Sequence, residues 1–324
     1  MCTAISYKAK NHYFGRNLDL YYNYNEQVTV TPRSYTLNFR MVQPLERHYA
    51  FIGMATVEKD YPLYYEAMNE KGLAIAALNF PENAHYYEPE QGKINITPFE
   101  LIPWVLGRFG TVDEVEREII NLNLVSINFS TSLPLSPLHW MISDKKRSLV
   151  LEPMKNGIKC FENPIGVLTN NPPFDIQMLF LQQYSGLSAK NPKKSFLNDI
   201  KLKPYSLGMG SIGLPGDMSS PSRFVRAAFI KENSVCDGDK ADEIGQFFHI
   251  LGSVEQPKGV TEVKEGLYEY TLYSSCLDTD AGVYYYTTYQ NRSITAVDMK
   301  KENLKGSKLV VYDLVKNENV TFKN

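Results

Sequence analysis

The stretch Met1-Cys2-Thr3-Ala4-Ile5-Ser6-Tyr7-Lys8, followed after a short polar turn by His12-Tyr13-Phe14-Gly15-Arg16-Asn17-Leu18-Asp19-Leu20, decides how this chain is read. Both runs are rich in β-branched and aromatic residues and read as strands around a turn at Lys10-Asn11. A short turn returns the second strand beside the first, so Arg16 and Asp19 stand near the start of the chain. Loss of Met1 makes Cys2 the first residue. Its thiol and a free α-amine then belong to one amino acid. Reference pKa values are about 8.5 for a cysteine thiol and roughly 7.7–8.0 for an α-amine. The amine can therefore take the thiol proton and later return it to a leaving amine, with no histidine required. An acylated nitrogen cannot, so removal of Met1 is the expected activation step. A carboxylate such as Asp19 can hold the amine, and a guanidinium such as Arg16 favours the thiolate. Taken singly, Cys2 is equally a small buried residue at a strand start, and Arg16 and Asp19 an ion pair on a hairpin.

Outward from this hairpin, Gln27–Arg33, His48–Thr56 and Leu73–Phe80 continue the strand pattern. The period changes at Thr97-Pro98-Phe99-Glu100, a capping box with proline at the first helical position. It opens a helix through Phe109 that Pro103 bends or ends. Thr111-Val112-Asp113-Glu114 caps a second helix, with Val115, Ile119 and Ile120 on one face. Strands return over 138–170, helices fit 176–185, 222–232 and 241–254, and the last sixty residues read as an antiparallel meander. Strands alternating with groups of helices predict two sheets faced by helix layers. No linker, repeat, low-complexity tract or charge run interrupts the 324 residues, which predicts one domain over 1–324.

The totals narrow the function classes. The chain is 43% hydrophobic and 22% charged, enough apolar residues for a globular core. Thirty-four basic residues against 36 acidic ones give a net charge of −2. That balance argues against a general role on nucleic acid or membrane surfaces. No apolar run approaches the roughly 20 residues of a membrane span. The N-terminal segment is too polar for a secretory signal, and the expected location is the cytoplasm. The four cysteines (Cys2, Cys160, Cys236, Cys276) form no CxxC pair, and the five histidines form no HExxH spacing. Neither a disulfide framework nor a metal site is expected, and no cofactor is called for.

Two asparagines stand at strand ends, in Leu78-Asn79-Phe80-Pro81 and Thr169-Asn170-Asn171-Pro172. Attack on an amide builds an oxyanion, and side-chain N–H groups can stabilise it. Asn before Pro is also ordinary turn chemistry. Gly208-Met209-Gly210-Ser211-Ile212-Gly213 matches GxGxxG. No strand precedes it, however, and Pro215-Gly216 stands where a helix should begin, so a dinucleotide site is rejected. Arg223, in Pro221-Ser222-Arg223-Phe224, opens a helix whose other face (Phe224, Ala227, Ala228) is apolar. A cation there opposes the helix dipole, which suggests a functional pairing.

Met-Cys-Thr, FGRNLD, LNFP, LTNNP and PSRF, in this order, resemble the choloylglycine hydrolase family, which comprises bile salt hydrolases and penicillin V acylases among the N-terminal-nucleophile hydrolases. The resemblance covers nearly the whole chain. It implies an α+β fold, a four-layer αββα sandwich of two antiparallel sheets. It implies Cys2 as nucleophile, with Arg16, Asp19, Asn79, Asn170 and Arg223 as the remaining catalytic set. It further implies a cytoplasmic homotetramer without metal or cofactor. Penicillin V acylases similar to this chain usually carry Tyr at the position of Asn79. LNFP is therefore the form seen in bile salt hydrolases, and the implied substrates are conjugated bile salts such as taurocholate and glycocholate. A rigid steroid needs wide apolar walls with few polar anchors. Loops matching the family's substrate loops supply Leu18, Tyr21, Tyr22 and Tyr24; then Tyr61, Leu63 and Tyr65; then Phe129, Leu133 and Leu138. Two alternatives stay open: a penicillin V acylase or other N-acyl amidase on the same machinery, and a non-catalytic binder of amphipathic anions.

Overall fold

The first hairpin is present. Cys2–Lys8 pairs antiparallel with His12–Leu20, placing Cys2 opposite Leu18 and Ala4 opposite Arg16. The computed structural model describes residues 1–193 and 197–324. Within it the hairpin lies in a six-stranded sheet ordered Val167–Leu168, Cys2–Lys8, His12–Leu20, Tyr270–Asp278, Val283–Thr288, Thr295–Asp298. Gly15 explains how closely the second strand meets its neighbour. A Cβ at that position would stand 2.0 Å from the Ser275 carbonyl oxygen, so only glycine fits.

An eight-stranded antiparallel sheet faces the first. Its order is Gly157–Glu162, Ser148–Met154, Leu138–Ser143, Ala74–Asn79, Tyr61–Asn69, Phe51–Glu58, Gln27–Thr31, Val310–Asp313. Side chains alternate across each strand. Ala74, Ala76 and Leu78 face the other sheet and share a core with Cys2, Ala4 and Phe14. Ile75 and Ala77 face outward and pack with Trp104 and Val105 of the helix Leu101–Arg108. The helices Ser220–Asn233 and Lys240–Gly252 cover the outer face of the six-stranded sheet. The layers are αββα, the α+β sandwich expected. Each large apolar side chain buried between them contributes about 1.5–3 kcal/mol.

Four local expectations are corrected. Tyr61, Leu63 and Tyr65 belong to the strand Tyr61–Asn69, not to a loop. That strand leaves Phe51–Glu58 through Lys59-Asp60, both at positive φ, a two-residue reversal without the Asn-Gly that usually announces it. Val310–Asp313 does not continue the C-terminal meander. It crosses to the other sheet and pairs with Gln27–Thr31. Pro103 neither bends nor ends its helix: it occupies the first turn, where an N–H would have no intrahelical partner. Ile120 lies beyond the helix Val112–Ile119 and is 75% exposed, while Val115 and Ile119 are buried. The Gly208–Gly213 segment forms only a short 3₁₀ turn at Met209–Ser211.

Candidate active site

The site is built where the start of a strand in one sheet meets the end of a strand in the other. Cys2 is buried at the first position of its strand. Its backbone nitrogen donates to Asn170 Oδ1 at 2.8 Å. The Asn170 amide nitrogen donates to the Asn79 carbonyl oxygen at 2.7 Å. Asn79 ends the strand Ala74–Asn79, and its own side-chain amide has no protein partner among the described residues. Asn170 is fixed from behind, its N–H donating to Ser220 Oγ at 2.8 Å and its carbonyl accepting from Gln177 Nε2 at 2.6 Å.

Arg223 enters from the first turn of Ser220–Asn233 and is completely buried. It donates to the Cys2 carbonyl oxygen, to Thr3 Oγ1 at 2.6 Å, to Asn170 Oδ1 at 2.8 Å and to the Met218 carbonyl at 3.0 Å. Every one of these partners is neutral. Burial holds its pKa below the usual arginine value, although Asp19 and Cys2 oppose the change. Arg16 is equally buried but differently held. It donates to the carbonyls of Tyr65 (3.3 Å) and Ala77, and its Nε lies 3.9 Å from Glu66 Oε2. Burial works against its charge, but Cys2, Tyr273, Glu66 and Asp19 outweigh it and keep Arg16 above the usual arginine value.

Asp19 does not bind the terminal amine through its carboxylate. Its two oxygens accept from Gln256 Nε2 at 2.8 Å and Thr271 Oγ1 at 2.6 Å. Its backbone makes the contacts instead: the Met1 α-amine donates to the Asp19 carbonyl at 2.9 Å, and the Asp19 N–H donates to the Met1 carbonyl at 3.1 Å. Glu269 forms an ion pair with the same amine. Burial pushes the Met1 amine below its ordinary pKa, partly offset by Cys2 and Asp19. Cleaving the Met1–Cys2 bond would leave a free amine at the nitrogen now 2.8 Å from Asn170 Oδ1.

Cys2, Asn79, Asn170 and Arg223 thus share one hydrogen-bonded network, while Arg16 and Asp19 lie on the paired strand with side-chain partners of their own. Of the expected walls, Leu18 lies opposite Cys2 in register, and Tyr65 packs against the core that contains Cys2. Tyr22 and Tyr24 pack with their rings tilted by 50°, and Thr56 joins the Tyr24 carbonyl to the Tyr65 hydroxyl at 3.1 and 2.9 Å. The remaining three are placed differently. Phe129 packs on Tyr61 and Phe99 beneath Arg40, and Leu133 is held by Ser130 within its own loop. Leu138, opposite Asn79 in register, packs against the cluster under the helix Leu101–Arg108. Sequence reading missed Gln256, Thr271, Glu269, Glu66, Gln177 and Ser220. None lies in a motif, and all but Gln177, which reaches back seven residues to Asn170, gain their role from a partner distant in the chain.

The profile of the linear amide C–N hydrolases of the choloylglycine hydrolase family matches residues 2–312. The chain belongs to the choloylglycine hydrolase family. It is an amide-hydrolysing enzyme. A bile salt hydrolase/transferase of Lactiplantibacillus plantarum is 56% identical over 314 residues, 97% of each chain. The crystal structure of the C2A mutant of the conjugated bile acid hydrolase from Clostridium perfringens superposes with a TM-score of 0.92 at 39% identity, covering 100% of both chains. The structure of a penicillin V acylase from Agrobacterium tumefaciens shares the fold, with a TM-score of 0.78 at 20% identity over 98% of this chain and 92% of the other.

Proposed function

We propose that this choloylglycine hydrolase cleaves the amide of bile salts conjugated to glycine or taurine, releasing free bile acid and amino acid. The observation that supports it most is the end-to-end kinship to a bile salt hydrolase/transferase, 56% identical, in a chain whose Cys2 nitrogen is hydrogen-bonded into the Asn170–Arg223 network. Removal of Met1 frees the Cys2 amine. The amine takes the thiol proton, and sulfur attacks the substrate carbonyl. The Asn79 amide and the second N–H of Asn170 donate to the oxyanion; losing such a donor typically costs about 10²–10³ in rate. The leaving amine receives the proton, and water hydrolyses the thioester. Arg16 and Arg223 favour the thiolate. Asp19, fixed by Gln256 and Thr271, sets the place of the chain start through its backbone.

Leu18, Tyr22, Tyr24 and Tyr65 form the apolar wall next to Cys2, whereas Phe129 and Leu138 pack into other clusters and Leu133 is held within its own loop. No helix among the described residues is long and apolar enough to cross a membrane. A cytoplasmic homotetramer accompanies this reading on the strength of the family resemblance, and sedimentation at micromolar concentration checks the tetramer. The decisive experiment is Cys2→Ala. Hydrolysis of taurocholate and glycocholate is expected to vanish while folding survives; undiminished turnover overturns the mechanism. Asn79→Tyr is expected to lower bile-salt turnover relative to penicillin V, and an unchanged ratio removes Asn79 from substrate choice.

A further inference from the structure

We propose that His139 is a positioning residue that sets the two asparagine donors, Asn79 and Asn170, into one fixed geometry. The proposal rests on the reading that their amides receive the oxyanion. His139 is fully buried in the strand Leu138–Ser143, one residue from the position paired with Asn79. Its Nε2 lies 2.9 Å from the Thr169 carbonyl oxygen. A carbonyl can only accept, so Nε2 carries a proton and donates. Thr169 immediately precedes Asn170. The imidazole face stacks on Phe80, with ring centres 4.3 Å apart and planes 4° from parallel, and Phe80 immediately follows Asn79. One side chain therefore touches the sequence neighbour of each asparagine.

The ring itself is held. Its Nδ1 lies 3.1 Å from Glu152 Oε1, and this same oxygen accepts the Phe174 N–H at 3.1 Å. Glu152 is fully buried on the adjacent strand Ser148–Met154. The segment Thr169–Phe174, which carries Asn170, is thus fastened at its start by His139 and at its end by the partner of His139. Glu152 Oε2 finds no hydrogen-bond partner among the described residues. A buried carboxyl kept beside a buried imidazole needs a reason, because an apolar pair would fill the same space at lower desolvation cost. Fixing the Asn170 segment against the Asn79 strand supplies that reason. Asn170 also donates to the Asn79 carbonyl, so a shift at either end is passed to both donors.

The test is steady-state kinetics on taurocholate for the mature enzyme and its variants. His139→Phe retains a ring on Phe80 but removes the donor to Thr169. Its kcat is expected to fall about 10- to 100-fold with KM within about twofold, because donors that act in the transition state move kcat and not binding. His139→Gln, which can still present an N–H to the Thr169 carbonyl, is expected to regain most of that loss. The rate of Cys2 alkylation by iodoacetamide should stay within about twofold in both, since the thiol and its amine are not addressed. The proposal is overturned by a kcat within about twofold of the parent in folded His139→Phe, or by a Gln variant no better than Phe. It is overturned equally by a loss confined to KM. If His139→Phe does not fold, His139→Asn takes its place, an amide too short to reach the Thr169 carbonyl: a kcat about 10-fold or more below that of His139→Gln supports the proposal, and equal kcat values overturn it. Asn79→Ala and Asn170→Ala separate the two readings. If neither lowers kcat, the assignment of the oxyanion donors has failed, whatever His139 does.

Discussion

Arg16 and Arg223 are both removed from solvent within the same site, yet the protein has solved their burial in opposite ways. Arg16 stands beside a carboxylate, and Glu66 is itself answered by the hydroxyls of Tyr273 at 2.7 Å and Tyr284 at 2.5 Å. Among the described residues, Arg223 donates only to neutral oxygens. The first charge is balanced within the scaffold. The second is left for the nucleophile and Asp19 to balance. A fixed cation whose compensation is incomplete favours an anion nearby, which is what a thiolate at Cys2 requires. Arg16 therefore belongs to the architecture whatever its part in the proposed chemistry, whereas the burial of Arg223 is accounted for mainly by that proposed chemistry.

The comparison breaks most visibly through stability. Arg16→Met leaves Glu66 buried and unpaired, and about 3–5 kcal/mol of unfolding free energy is expected to be lost. Arg223→Met orphans only neutral acceptors and is expected to cost about 1–3 kcal/mol. Urea unfolding of both variants checks the order, and a larger loss in Arg223→Met refutes the division. Adding Glu66→Gln to Arg16→Met should restore part of the midpoint. One level down, Tyr284→Phe removes a hydroxyl from a buried carboxylate whose pKa is raised by its burial against the pull of Arg16, Tyr284 and Tyr273. The expected cost is about 1.5–3 kcal/mol, read in the same titration.

A third buried base sharpens the contrast by staying neutral. His12 is surrounded by Ser6, Ser143 and Thr279, and burial pushes its pKa down to about 4, with Asp144 and Asp280 opposing. The unfolded chain takes up this proton near pH 6.5. Between the two values the unfolded state binds more protons, so stability is complete above about pH 6.5 and declines as pH falls toward 4. The slope from this group is at most about 1.4 kcal/mol per pH unit. Urea midpoints at pH 7, 6 and 5 should show it, and His12→Gln should flatten it; an equal slope in the variant means His12 is not the group responsible. The smallest effect belongs to Arg147, which meets Asp113, Glu116 and Glu162 at the surface. Three acids around one partly exposed arginine still sit in screening solvent. Arg147→Ala is expected to cost only about 0–1 kcal/mol, measured by thermal unfolding at low and high salt.

The legible part of this molecule is the part encoded locally. The first hairpin follows from two strand patterns and a turn, and it delivers Arg16 and Asp19 beside Cys2 without further information. The capped helix at Thr111 is local in the same way: its Glu114 returns to the Thr111 N–H at 3.2 Å. The partners of those residues were not legible. Gln256 reaches Asp19 across 237 positions, and Tyr273 and Tyr284 reach Glu66 from the far end of the chain. Nothing near them in sequence distinguishes a buried partner from a surface residue. The strand Tyr61–Asn69 was hidden because its tyrosines suit a recognition loop as well as a half-buried strand. Phe129 shows the same ambiguity, since aromatic character says that a ring is covered but not by what. Val310–Asp313 was recognised as a strand, but its pairing with Gln27–Thr31 is a choice made by the whole fold.

The register of the second strand has a consequence for synthesis. Asp19 lies opposite Thr271, and Gln256 closes on its carboxylate from the segment before that strand. The nucleophile is thus among the first residues to leave the ribosome, whereas its carboxylate support is among the later ones. A nascent chain halted before residue 256 exposes Cys2 without the clamp that fixes its neighbour. In the proposed mechanism, trimming of the initiator can come early, whereas the setting of Asp19 is complete only once translation has passed the residues that close over it.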